Sequence, residues 1–194
     1  MPKVILITHQ KGGVGKSTLT FNLATNLKDS ARIGIIDIDR QGSLSQISEI
    51  AKVDILPKEN LKKLSTLDYD FIFIDTPPYL VENLKELCNL ANLIIIPTKA
   101  GVLDLFAIKS TIEIIKSTKN EHKAMIVLNM VKHNSSLTED VLKELSELNI
   151  KVCKTMISDL VAFSRSFLLD GVQENTNAQK QIDSLTKEVL TSII

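Results

Sequence analysis

Short, continuously apolar runs rich in Ile and Val alternate along this chain with stretches of helical spacing, and that alternation limits the available folds more than any single residue does. The runs fall at residues 4–8, 33–37, 71–75, 93–97, 124–129 and 151–155. Most are apolar throughout rather than at every second position, which suits strands covered on both faces. Residues 17–27, 81–90, 103–117, 137–148 and 178–193 instead place apolar side chains at helical intervals. The alternation predicts an α/β fold: a mostly parallel sheet with helices on both faces and right-handed crossovers. Residues 48–68 carry no strong period and contain Pro57, which predicts a short helix with connecting loops. At 194 residues and 44% apolar composition, the chain is expected to form one domain, residues 1–194.

In open α/β sheets ligands bind beyond the carboxyl ends of the strands, so the polar residues just after each apolar run are the candidates for function. The first run is followed by His9, Gln10, Lys11, Gly12, Gly13, Val14, Gly15, Lys16, Ser17 and Thr18. Asp37 closes the second run, with Asp39 two residues on; Asp75 closes the third, and Asn129 the fifth. The three glycines let the loop backbone curl with its N–H groups inward, and the helix beginning near Lys16 adds the positive end of its dipole. A polyphosphate is the natural occupant. Lys16 is expected on its β- and γ-phosphates, the Ser17 hydroxyl on Mg²⁺, and Thr18 on the α-phosphate side. Gln10 stands where the general pattern G-x-x-x-x-G-K-[ST] has its first glycine.

Residues 11–18 resemble the deviant Walker A motif of the ParA/MinD ATPases, in which a second lysine, here Lys11, lies near the start of the loop. The resemblance continues through residues 37–42, the run ending at Asp75, Thr76, Pro77 and Pro78, and residues 157–174. It implies a small ParA-type partition ATPase without the N-terminal DNA-reading domain of larger relatives. With one copy alone, the Lys11 ammonium is expected beside Lys16, where like charges are costly unless a polyphosphate lies between them. The family places this lysine across a nucleotide-sandwich homodimer, on the partner's phosphates. By the same resemblance Asp75 is the Walker B residue that holds Mg²⁺ through water, Asp37 takes another metal-bound water, and Asp39 orients the attacking water. Lys11, Lys16 and Asp39 are thus the expected catalytic set. Slow turnover is expected until a partner completes the site, an aspartate being a weak base for water. Arg40 departs from the proline that usually follows this aspartate, and Ser158 stands where proline is common.

Guanine-specific relatives carry Asn-Lys-x-Asp after the penultimate strand, whereas this chain reads Asn129, Met130, Val131, Lys132. ATP is therefore expected over GTP, with Asn129 at the adenine edge and residues 156–160, including Ser158 and Asp159, closing over the ring. The resemblance also implies nonspecific DNA as a ligand of the ATP-bound dimer, a ParB-like centromere-binding protein that stimulates hydrolysis, and a cytoplasmic, nucleoid-associated location. A MinD-like membrane-positioning ATPase is the alternative; an amide-forming synthetase or iron–sulfur reductase is a more distant one.

Composition limits how DNA could be held. Lys and Arg together number 23, as do Asp and Glu, so binding to nucleic acid or lipid must come from a local patch. Lys109, Lys116, Lys119, Lys123 and Lys132 outnumber Glu113 and Glu121; toward the C-terminus the basic candidates are Lys151, Lys154, Arg165, Lys180 and Lys187. Of these, Lys180, Arg165 and Lys187 are the expected DNA contacts. The apolar stripe of residues 182–194 carries few cations, which predicts a helix packed on the sheet rather than one lying on lipid. Cys88 and Cys153 stand alone and are expected as buried thiols. His9 has no evident partner in sequence, so loop packing is expected for it.

Overall fold

The computed structural model describes residues 1–39, 44–79, 83–132 and 136–193. Its strands are β1 (Lys3–Ile7), β2 (Ile33–Asp37), β3 (Asp54–Leu56), β4 (Phe71–Asp75), β5 (Leu93–Thr98), β6 (Ala124–Leu128) and β7 (Lys151–Val152). The helices are α1 (Lys16–Leu27), α2 (Leu84–Leu90), α3 (Val102–Ser117), α4 (Ser136–Ser146), α5 (Val161–Leu169) and α6 (Thr176–Ile193). All strand pairs are parallel, in the order β3-β2-β4-β1-β5-β6-β7. The predicted parallel sheet with helices on both faces is what forms.

The apolar runs are continuous because each central strand feeds two cores. Ile5 and Ile7 of β1 face the layer of α1, α5 and α6, with Phe21, Leu23, Phe163, Ile182, Leu185 and Val189. Val4 and Leu6 face the layer of α2, α3 and α4, with Leu87, Ile108, Ile112, Ile115 and Leu145. Cys153 lies in the first core and Cys88 in the second, both reduced, and burial pushes their thiols up to about 12 and about 11. α6 starts at an Asn175 cap, whose Oδ1 accepts the Ala178 N–H at 2.9 Å, and spends its apolar stripe on the sheet as predicted. No helix among the described residues is long and apolar enough to cross a membrane.

Three elements differ from expectation. β3 is a three-residue edge strand inside the region read as helix and loop; the helix there is a kinked 3-10 stretch at Lys58–Thr66, and a turn of 3-10 helix at Ser45–Ile47 precedes the region. α5 has no counterpart among the predicted helices. β7 ends early: the Cys153 N–H still donates to the Ile126 carbonyl of β6 at 2.8 Å, but those of Lys154 and Thr155 turn to the Glu188 carboxylate on α6, at 2.9 and 2.7 Å. Val81, predicted to begin α2, and Arg40, Gln41 and Gly42 lie outside the described residues.

Candidate functional site

Strand register builds the floor of the site. Ile7 pairs with Asp75, and Asp75 with Asp37, so three strand ends finish at one level beneath the glycine-rich loop. Gly13 and Gly15 both take positive φ, 68° and 86°, and Gly15 is the residue from which α1 starts. Gly15 has a second reason to lack a side chain: a Cβ there would lie 2.3 Å from Asn129 Nδ2. The space is taken because Asn129, 4% exposed at the end of β6, donates from Nδ2 to the Val14 carbonyl at 2.8 Å. Its Oδ1 accepts the Met130 N–H at 3.0 Å. Asn129, expected at the adenine edge, thus has a first task in this structure: it ties the loop to the central sheet.

Lys16 is buried, and its Nζ donates to the Lys11 carbonyl at 3.2 Å. Burial lowers its pKa, while the Asp75 and Asp39 carboxylates act to raise it. The Lys11 ammonium, expected beside Lys16, has a carboxylate partner in this structure. It lies 2.7 Å from Asp104 Oδ1, in the first turn of α3, and this pairing relieves the like-charge repulsion without a ligand. Asp104 is 7% exposed and abuts Gly101, where a Cβ would come within 2.6 Å of its Oδ2.

The carboxylates divide in role. Asp75, fully buried, accepts from Ser17 Oγ at 2.5 Å and Thr20 Oγ1 at 3.3 Å. Asp37 accepts the Asp39 N–H on Oδ1, and the Leu44 and Ser45 N–H groups on Oδ2 at 3.0 and 3.1 Å. Its observed work is therefore to fold the segment that carries Asp39. Among the described residues no three His, Cys, Asp or Glu side chains gather into a metal cage. Ser17 and Asp75 form instead a hydroxyl and carboxylate pair, which fits an octahedral Mg²⁺ that keeps waters and takes its remaining ligands from phosphates.

Beside the loop lies a cleft lined by Thr18, Asn22, Met130, Ser158, Asp159 and Phe163. Ser158 is fixed by Gln181 of α6, which accepts the Ser158 N–H at 2.8 Å and donates to its Oγ at 3.0 Å. The Asp159 N–H donates to the Val131 carbonyl at 3.0 Å, carrying the sheet edge into this loop. The structure thus brings Thr18, Asn129, Ser158 and Asp159 to one cleft, and sets Ser17 on Asp75 and Lys16 within electrostatic reach of Asp75 and Asp39. Lys187 lines a separate groove with Lys151, Lys154 and Glu188, and Lys180 lies two turns earlier on α6. Arg165 lines another groove on α5, with Glu174. Sequence reasoning missed Thr20, Asp104 and Gln181, and left His9 without a partner, although its Nδ1 accepts the Lys11 N–H at 2.9 Å.

Two buried groups give the nucleotide-free protein opposed pH slopes. Burial, with Asp37 adding to it, pushes the Asp75 carboxyl from 3.8 up to about 7. Folding therefore takes up a proton there, and this contribution to stability falls as pH rises from about 4 to about 7. Burial and the Lys16 charge push His9 from 6.5 down to about 4, so its contribution rises with pH across about 4 to 6.5. Each is worth on the order of 3 kcal/mol across its window. Asp75→Asn should expose the rising slope: the melting temperature of the nucleotide-free variant, relative to wild type, should climb between pH 5 and pH 7 in matched thermal melts. A flat difference would contradict the raised Asp75 value.

Strand, glycine-rich loop, buried lysine and strand-end carboxylates in this order define a P-loop nucleotide-binding domain. Residues 5–170 match the family described as CobQ/CobB/MinD/ParA nucleotide binding domain, and the chain belongs to that family. It is 29% identical over 212 residues to maintenance of carboxysome distribution protein A of Halothiobacillus neapolitanus, covering 97% of this chain and 96% of that protein. Among solved structures, a putative plasmid partition protein of Borrelia burgdorferi B31 bound to AMPPNP superposes with a TM-score of 0.79, at 22% identity and full coverage of both chains. Cobyrinic acid a,c-diamide synthase of Mycobacterium smegmatis, with bound ADP and magnesium, gives 0.76 at 16% identity over 98% and 94% of the two chains. Both likenesses are of fold.

Proposed function

We propose that this protein is a ParA-type ATPase that positions or partitions a cargo: it binds ATP and Mg²⁺, closes as a homodimer around the nucleotide, holds nonspecific DNA in that state, and is reset by hydrolysis. The observation that carries the reading is the pair of lysines on one loop. Lys16 is buried between Asp75 and Asp39, where it meets a triphosphate of its own subunit. Lys11 leaves the same loop on the side of Asp104, one third exposed, available to a second copy. A cation supplied in trans at transferring phosphates is worth about 10³ to 10⁵ in rate in enzymes that use one.

Within this reading the Gly12, Gly13, Val14 and Gly15 peptides cradle the phosphates, Thr18 meets the α-phosphate, and Ser158 and Asp159 close over the base. Ser17 and Asp75 hold Mg²⁺, with Asp37 reaching it through water. When bound there, Mg²⁺ would supply positive charge that offsets what develops on the transferring phosphate. Asp39 aligns the attacking water. The Halothiobacillus relative, named for carboxysome distribution, and the Borrelia neighbour, named for plasmid partition, support a positioning role. A ParB-like protein that stimulates hydrolysis belongs to the same reading.

DNA is preferred to lipid because α6 has already spent Ile182, Leu185 and Val189 on the core, while Lys180 and Lys187 share its exposed side. Near Lys187, Lys151 and Lys154 add charge, against Glu188 alone in that groove. Each phosphate contact contributes about 0.9 to the log–log salt slope, and a dimer presents every residue twice. DNA retention should therefore appear with ATP or a nonhydrolysable analogue and vanish with ADP. Lys180→Glu should make the slope shallower by about 2 while leaving ATP-dependent dimerisation intact. Retention with equal slope would remove Lys180 from the patch, and ATP-dependent binding to anionic vesicles without DNA retention would replace this reading by the membrane one.

A further inference from the structure

The backbone of the turn that carries Lys11 is held by side chains at three successive groups. The Gln10 N–H donates to Thr111 Oγ1 at 3.2 Å, the Lys11 N–H to His9 Nδ1 at 2.9 Å, and the Lys11 carbonyl accepts from Lys16 Nζ at 3.2 Å. The last of these anchors is conditional. A phosphate at the loop competes for Lys16 with a full negative charge, so an ion pair displaces the ammonium's bond to a neutral carbonyl. Once nucleotide recruits Lys16, the turn depends on Thr111 and His9, and among the described residues only His9 holds the Lys11 N–H itself.

The geometry points to His9 as the positioning residue of the Lys11 turn, a rigid acceptor that keeps the Lys11 peptide aimed after Lys16 has moved to the phosphates. This rests on the trans role of Lys11 proposed above. His9 is wholly buried, and its Nε2 has no hydrogen-bond partner among the described residues. An unpartnered buried donor costs about 1–3 kcal/mol, which an aliphatic side chain in the same place would avoid, so the gain from histidine must lie at Nδ1. Burial keeps the ring neutral down to about pH 4, and Nδ1 therefore remains an acceptor throughout the usual working range. The bond joins residue i to the N–H of residue i+2, the connection that an Asn or Asp side chain makes in an Asx-turn.

That equivalence supplies the test. His9→Leu fills the space without an acceptor, whereas His9→Asn restores one at the correct separation. Steady-state ATPase assays on the full chain should show His9→Leu losing about tenfold or more in kcat with KM for ATP changed less than about threefold; the Asn variant should recover most of the loss. A wild-type kcat in the Leu variant would overturn the inference. So would a rise in KM matching the loss in rate with no rescue by Asn, since that marks loop packing alone. Lys11→Ala, assayed in parallel, separates the two layers. If it turns over as wild type, the trans-lysine reading falls and His9 with it; if it is inactive while His9→Leu is not, only the role of His9 fails.

Discussion

Lys16→Ala is expected to lose ATP affinity by about 100-fold or more while leaving the fold in place. The loss follows from what the ammonium faces: truncating one partner of a desolvated, hydrogen-bonded charge pair costs about 2–5 kcal/mol, and every 1.4 kcal/mol is tenfold in affinity. The fold is spared because Lys16 gains little from its position in the empty protein. Its ammonium is desolvated, which lowers its pKa, and it donates to a neutral carbonyl, that of Lys11. Removing it leaves the Lys11 carbonyl on a turn that His9 and Thr111 still hold. Calorimetric titration with Mg²⁺ and ATP, beside a thermal melt of the nucleotide-free variant, separates the two effects. Unchanged affinity would refute the assignment of the loop.

The contrast between Lys16 and Asp104 shows how much of this site could be read from the chain. Lys16 was legible because its neighbours in sequence are its neighbours in space: the loop glycines, the start of α1 and the preceding strand form one local unit. Asp75 and Asp37 were legible as strand-end carboxylates, since parallel strands of matched register must finish together. Asp104 lies 93 residues from Lys11, and an acidic residue in the first turn of a helix ordinarily complements the dipole and nothing more. Gln181 and Thr111 are likewise remote partners, set by how α6 and α3 pack. His9 sits beside the loop, yet its role rests on ring orientation, which no spacing rule encodes.

The same physics separates the elements that were found from those that were not. The central runs were visible because burial on both faces demands unbroken apolar sequence. β3, at the sheet edge, has an exposed Asp54 and two half-buried residues, so no such demand applies to it. α5 is apolar in composition, but only Phe163 and Ser166 are buried among its nine residues, while Val161, Leu168 and Leu169 remain exposed. With its apolar side chains facing outward as well as inward, it shows no helical stripe. Asn129 was found for its position after β6, but its fit against the missing Cβ of Gly15 emerges only when loop and strand are in register.

Asp39→Ala should slow hydrolysis by about 10²- to 10³-fold, the usual worth of a positioned proton acceptor, while ATP binding holds or tightens slightly. The asymmetry comes from charge. Asp39 lies close enough to Lys16 to perturb its pKa, so its carboxylate also lies within electrostatic reach of the phosphates that Lys16 would bind. Two anions sharing that space repel, and alanine removes the repulsion together with the water-aligning oxygen. Asp37 still folds the segment, because it holds the Leu44 and Ser45 N–H groups, and the residue 39 N–H survives the substitution. Binding and closure are thus preserved while the reset is lost, and the ATP-bound dimer accumulates. Size-exclusion chromatography with light scattering, in ATP and Mg²⁺, should show the variant as a stable dimer and the wild type as one that reverts to monomer as ATP is consumed. A variant that remains monomeric in saturating ATP, or that hydrolyses at the wild-type rate, would remove Asp39 from the site and leave Lys11 without a dimer to complete.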